Sequence, residues 1–163
     1  MLRDPSLTPL SRQHQHALAL CVRIERALRC SDVDLGAWQL EMRQLYTDEV
    51  RFHFAAEEKV LFPTARRFPE LVVLVEGLSS EHDQVRELLG RAEQGVMNQV
   101  ELEAFAKLLS GHIRKEERHL FEAIQKRMEP AALKSLGDEL ARALEDAVQV
   151  CRLNANLGET RTL

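Results

Sequence analysis

The chain has little of what usually punctuates a fold. Glycine occurs 7 times and proline 5 times in 163 residues, so turn signals are few and a many-stranded architecture with regular tight turns is excluded. The three cysteines, Cys21, Cys30 and Cys151, are an odd number without C-x-x-C spacing, which excludes a disulfide framework and a thiolate metal site. All three read as buried or bystander thiols. No apolar run approaches the roughly 20 residues of a membrane-crossing helix, and the N-terminal MLRDPSLTPLSRQHQ lacks the apolar centre of a secretory signal. A cytoplasmic protein without membrane contact is expected. Base is not in excess either: 22 Lys and Arg stand against 26 Asp and Glu, a formal charge of -4. With no basic cluster interleaved with aromatics, nucleic acid is not an expected partner.

What the chain does have is long segments with apolar residues three and four apart, the mark of amphipathic helices, so the expected fold is all-α. The length suits a single domain with one sizeable core. Helices are expected over about residues 9–29, with Thr8 as N-cap, 36–67, 70–93 with Pro69 at the first helical position, and 100–128. Pro63 should kink or weaken the last turn of the second. A shorter fifth helix over about 131–150 reads as a packing or capping element. Residues 1–153 then form the domain and 154–163 a flexible tail. Four long helices on short connections pack most simply as an antiparallel up-down-up-down four-helix bundle. Helices two and four then lie at diagonal corners, and the two hairpins are related by a pseudo-twofold axis.

One combination is written twice. HFAAEEKVLFP, from His53 to Pro63, is matched by HIRKEERHLFE, from His112 to Glu122, on helices two and four. Residues i and i+4 share a helix face, so His53 points with Glu57 and His112 with Glu116. Both pairs interrupt apolar stripes: Tyr46, Val50 and Leu61 on one helix, Phe105, Leu109, Leu120 and Ala123 on the other. His14 interrupts the stripe of helix one, between Leu10 and Ala17, and His82 that of helix three, between Leu78 and Val85. Polar and charged groups on a buried face cost several kcal/mol each unless partnered. Four imidazoles and two carboxylates converging in a bundle core form a ligand set for two first-row cations. The expected sharing is His14 and His53 on one ion, His82 and His112 on the other, with Glu57 and Glu116 as bridges and a solvent-derived oxygen completing them.

The neighbouring polar residues are read more plainly. Glu58 and Glu117 sit five residues after their histidines and overshoot the face, so they are outer partners or surface groups, although Glu117 is close enough to swing in. His16 falls on the far side of helix one and is a surface residue. His119 lies within reach of the core stripe as an outer partner, but its counterpart in the first copy is Val60. Tyr46 either lines a small-molecule pocket above the metals or is a core aromatic with its hydroxyl satisfied. Trp38, Phe52, Phe54 and Phe105 are packing residues, and Met42, Met97 and Met128 core or boundary residues.

Over about Leu10 to Glu129 these features resemble the hemerythrin-like, or HHE cation-binding, family. The signatures are SRQHQHALAL, HFAAEEKVLFP, SSEHDQ and HIRKEERHLFE, each on the expected helix and in the expected order. The resemblance implies two non-haem iron ions held by histidines and two bridging carboxylates, bridged further by an oxo or hydroxo group. Family members bind or sense dioxygen, handle iron, or repair damaged iron centres. The chain departs from the oxygen carriers, which carry HxxxH on helix three; here His82 has Leu78 four residues before it and Arg86 four after. The carriers also place Asp where this chain has Glu117. These departures argue against reversible oxygen carriage. Symmetric HxxxE looks more like the iron-sensing and iron-sulfur repair branches, with no receptor or cysteine-bearing domain attached. A ferritin-like site needs two ExxH pairs, and only Glu116 and His119 make one.

Two function classes follow from the resemblance and the donor set. The first is a di-iron protein that binds, senses or reacts with dioxygen, nitric oxide or peroxide, or handles iron. The second is an enzyme of oxidase or peroxidase type, with Tyr46 or Glu117 moving protons.

Overall fold

The computed structural model describes the backbone of residues 2–159 and the side chains of residues 2–145. Among the described residues the chain is helical, without strands, and is built from five helices. Helix α1 is Thr8–Arg29. Helix α2 runs over residues 35–65, and a single 3₁₀ turn, Pro69–Leu71, leads into α3, Val72–Glu93. Helix α4 covers 99–127, and α5 is Pro130–Glu159. No described helix is long and apolar enough to cross a membrane.

Local chemistry sets these limits, with some departures from expectation. Thr8 is not the cap of α1: Leu7 holds that position without a side-chain bond, and the Thr8 hydroxyl donates instead to the Asp4 carbonyl at 3.1 Å. Asp34 caps α2 by accepting from the Ala37 amide at 3.0 Å. Asn98 and Glu101 close a reciprocal capping box at the start of α4, satisfying two amides that a bare helix end would leave unpaired. Gly95, at φ 70°, turns the chain out of α3 in a conformation that other residues rarely adopt. Helix α5 extends past the expected end at about 150, and of the expected flexible tail only residues 160–163 lie outside the description.

Helices α2 and α4 are not uniformly α-helical. In α2 the turns Tyr46–Val50 and Glu57–Leu61 are π-helical, and in α4 so is Glu116–Leu120. The Phe62 amide reaches the Glu57 carbonyl and the Phe121 amide the Glu116 carbonyl, each five residues back. Such widened turns wind more slowly than an α-helix and tend to fall at functional positions. Pro63 comes two residues after one of them, in the last α-helical segment Phe62–Ala65, where it removes an amide donor near the helix end. Helix α2 ends two residues later at Ala65, short of the expected 67.

The core is in two parts. One cluster includes Leu20, Ile24, Met42, Phe54, Val85, Phe105 and Leu109; the other includes Leu7, Leu10, Phe62, Val75, Leu78, Phe121 and Leu136. On α1 and α3 a buried histidine, His14 or His82, separates the residues of one cluster from those of the other, whereas on α2 and α4 His53 and His112 fall within the stretch of the first cluster and the change comes after them. Helix α5 covers the second cluster with Leu133, Leu136 and Leu140. The N-terminal segment crosses it so closely that a Cβ at Gly137 would stand 2.6 Å from Ser6 Cβ and 2.7 Å from Ser6 Cα.

Candidate metal centre

Between the two apolar clusters lie His14, His53, Glu57, His82, His112 and Glu116, none more than 4% exposed. They fall into two overlapping groups of donor atoms, His14, His53, Glu57, Glu116 and Glu57, His82, His112, Glu116, each with its atoms within 4.8 Å of one another. The repeat supplies His53 and Glu57 from α2 and their counterparts His112 and Glu116 from α4. Helices α1 and α3 supply one histidine each.

The imidazoles meet in pairs. Nε2 of His14 is 2.9 Å from Nε2 of His53, and Nε2 of His82 is 3.1 Å from Nε2 of His112. Two nitrogens each about 2.1 Å from one ion and at a right angle would stand about 3.0 Å apart. Glu57 turns Oε1 to Nε2 of His53 at 3.2 Å and Oε2 to Nε2 of His82 at 3.3 Å, spanning the pairs. Glu116 brings Oε2 to Nε2 of both His14, at 3.1 Å, and His112, at 3.3 Å. None of the four carboxylate oxygens has a hydrogen bond of acceptable geometry.

Each imidazole is held from behind. Nδ1 of His14 lies 2.7 Å from Glu117 Oε1, that of His53 2.9 Å from Gln13 Oε1, that of His82 2.8 Å from Glu58 Oε1, and that of His112 3.0 Å from Glu81 Oε2. An oxygen acceptor at Nδ1 places the proton there and turns the Nε2 lone pair inward. The second glutamate of each EE pair therefore backs a histidine on another helix. Aromatic rings fix the planes: Phe121 stacks on His14 at 5.5 Å and 17°, its counterpart Phe62 on His82 at 5.3 Å and 25°. The repeated LF thus belongs to the site as well as to the core.

Without a cation the group has too many acceptors, and protons are drawn in. Burial disfavours charge on His14, but the Glu116 and Glu117 carboxylates outweigh it and push that ring up to about 9. Burial is likewise overcome at His112, where Glu116 and Glu81 push it up to about 10. His53 goes the other way, down to about 3, through burial and then the charge on His14. Burial and the neighbouring Glu116 push Glu57 up to about 7. At Glu116 burial is overcome by His112 and His14, which hold it well below the usual carboxylate range.

The remaining expectations divide. His16 is on the surface, its side chain 64% exposed and 2.9 Å from Glu49. His119 is exposed, turned away by the wide turn that contains it. Tyr46 does not line the small chamber beside the histidines; it is half-buried, packs against the first core cluster as the second reading expects, and borders an outer cleft with Arg43, Arg51 and Arg86. The π-turn Tyr46–Val50 breaks the α-helical spacing between Tyr46 and His53. Phe54, expected as plain packing, stacks on His82. Gln13 and Glu81 were legible only as the residues before His14 and His82, in the matching runs S-x-Q-H and S-x-E-H. Cys21 is buried and Cys30 exposed; the Cys151 side chain lies outside the described residues.

A helical bundle whose polar interior layer is made of imidazoles and carboxylates defines a cation-binding protein. Residues 7–124 match the family model of the hemerythrin HHE cation-binding domain, and the chain belongs to that family. No curated protein and no solved structure matches it significantly.

Proposed function

We propose that this protein carries a di-iron centre in an antiparallel up-down-up-down bundle, and that it binds, senses or reacts with a small oxidant or diatomic molecule such as dioxygen, nitric oxide or peroxide. The ligands in this reading are His14 and His53 for one ion, His82 and His112 for the other, and Glu57 and Glu116 for both. The observation that carries it is the buried pair Glu57 and Glu116, without hydrogen bonds and with three of their oxygens 3.1–3.3 Å from four Nε2 atoms whose Nδ1 partners are already in place. Acceptors facing acceptors in a dry interior need positive charge between them. Mixed nitrogen and oxygen donors suit iron.

When bound, such ions supply redox chemistry and an attachment point for a small ligand. The protein's own contribution is a chamber beside His14, His53 and His112, walled by Ala17, Val50, Phe54, Leu109 and Ile113. Its volume is about 10 Å³, near the smallest space that holds one water-sized guest. These apolar walls favour a neutral guest, with Gln13 and Glu49 as the other lining residues. Glu58, Gln13, Glu81 and Glu117 hold the rings so that Nε2 stays aimed inward.

The test is anaerobic reconstitution with ferrous iron, elemental analysis, and then exposure to air or nitric oxide. Two equivalents of iron and a new absorption band on exposure are expected, with iron lost in His53→Ala and His112→Ala. Iron well below one equivalent, or undiminished in both variants, would overturn the reading.

A further inference from the structure

The two halves of the site repeat each other closely, yet they differ in charge directly behind the repeat histidines. His14 and His82 both lean on glutamates, Glu117 and Glu58, at 2.7 and 2.8 Å. Each of those glutamates is paired with an arginine, Arg3 and Arg86 respectively. The bridging positions of Glu57 and Glu116 touch both halves. Glu117 also accepts from the Ser11 hydroxyl at 2.7 Å, a bond that adds no charge to its side. The residues behind the repeat histidines differ: His53 Nδ1 meets the neutral amide oxygen of Gln13 at 2.9 Å, whereas His112 Nδ1 meets the carboxylate of Glu81 at 3.0 Å. Gln13 and Glu81 each directly precede a histidine of the site and the two distances are close, but one acceptor is neutral and the other charged.

A carboxylate accepts such a bond about twice as strongly as a neutral group and makes the imidazole a better electron donor to a metal. Glu81 also pairs with Lys115, but that lysine is 50% exposed and the glutamate 13%. Water screens the outer cation more than it screens the carboxylate against the ring. The negative charge behind His112 therefore persists, whereas His53 Nδ1 has a neutral acceptor and feels Glu49 only through space, that carboxylate being paired with the exposed His16.

We propose that Gln13 and Glu81 make the two metal positions unequal, so that the His82 and His112 side takes the first ion and the His14 and His53 side the second. This rests on the two-metal reading and adds an order to it. One position would be filled first and a second ion would be held more loosely, which is the arrangement of a centre that forms or empties in steps.

The experiment is titration of metal-free protein, labelled with nitrogen-15 at histidine, with cobalt(II) as the probe, followed by calorimetry and by the imidazole resonances. Two steps at least tenfold apart are expected in the unsubstituted protein, with His82 and His112 shifting in the first. Glu81→Gln should weaken the first step by about 10- to 100-fold and merge the two. Gln13→Glu should tighten the second. The double exchange Gln13→Glu with Glu81→Gln should reverse the order, so that His14 and His53 shift first, an outcome that loosened packing cannot mimic. Two ions taken up with all four histidines shifting together, or an order unchanged by the double exchange, would refute the inference while leaving the two-metal centre standing. Fewer than two ions would remove both.

Discussion

The ring of Phe54 lies nearly parallel to that of His82, with centroids 3.6 Å apart and planes 14° from one another. The same Phe54 belongs to the apolar cluster on the far side of the site, so one side chain both packs the core and sets the plane of an imidazole. Phe54→Ala should cost about 3–5 kcal/mol of stability, the usual range for a buried aromatic truncated in a closed core. Urea unfolding of the metal-free protein measures it. A loss under about 1 kcal/mol, typical of surface changes, would mean that the ring is not packed as described.

The raised values of His14 and His112 make the metal-free protein sensitive to alkali. For a group whose folded value lies above its unfolded one, the stabilisation is complete below the unfolded value and disappears as pH rises through the folded value. The ordinary value is 6.5 and the folded values are about 9 and about 10. Stability of the chelated protein should therefore fall between pH 6.5 and 10. His53, displaced downward to about 3, acts only below 6.5 and leaves this window untouched. Thermal unfolding across that range with and without metal is the check: the loaded protein, whose histidines are already deprotonated as ligands, should lack this dependence.

Burial pushes the Cys21 thiol up to about 12, which leaves almost no thiolate to react near neutrality. Cys30 is exposed. In a Cys151→Ser background, one thiol should label rapidly with a disulfide reagent at pH 8 and the second only in denaturant. Two fast-labelling thiols would contradict the packing around α1.

Two glycines should respond in opposite directions to the same change. Gly77→Ala meets nothing within 4 Å on an exposed helix face and should stabilise by about 0.5–1 kcal/mol through helix preference alone. Gly137→Ala drives a methyl group into the backbone of Ser6, and a forced shift of this kind costs about 1–3 kcal/mol. Comparing the two by urea unfolding separates the contact from the helix preference. Equal effects would show that the N-terminal segment does not rest on α5.

The inward placement of His14, His53, Glu57, His82, His112 and Glu116 was legible because each is a polar residue on an apolar stripe, and burying it needs a shared reason. Glu58 and Glu117 were harder. Five-residue spacing on an ideal helix carries them off the face, and neither wide turn is announced by a residue type that pattern reading detects. The turn Glu116–Leu120 carries His119 to the surface, and a third, Tyr46–Val50, offsets Tyr46 from the histidine chamber while leaving it packed on the core. Gln13 and Glu81 escaped notice because a residue adjacent to a ligand points away from it along its own helix. Their partners, His53 and His112, come from other helices, a pairing that only tertiary packing reveals.

Glu57 turns one oxygen to each pair of histidines, and its counterpart Glu116 reaches a ring in each half of the chain. Neither α1 with α2 nor α3 with α4 contains every donor of either group. A backbone nicked in the short connection at Arg66, Arg67 and Phe68 would yield two fragments that own their imidazoles but borrow a carboxylate. A cation would then act as mortar between them, and reassembly of the cut chain would become a gauge of its concentration.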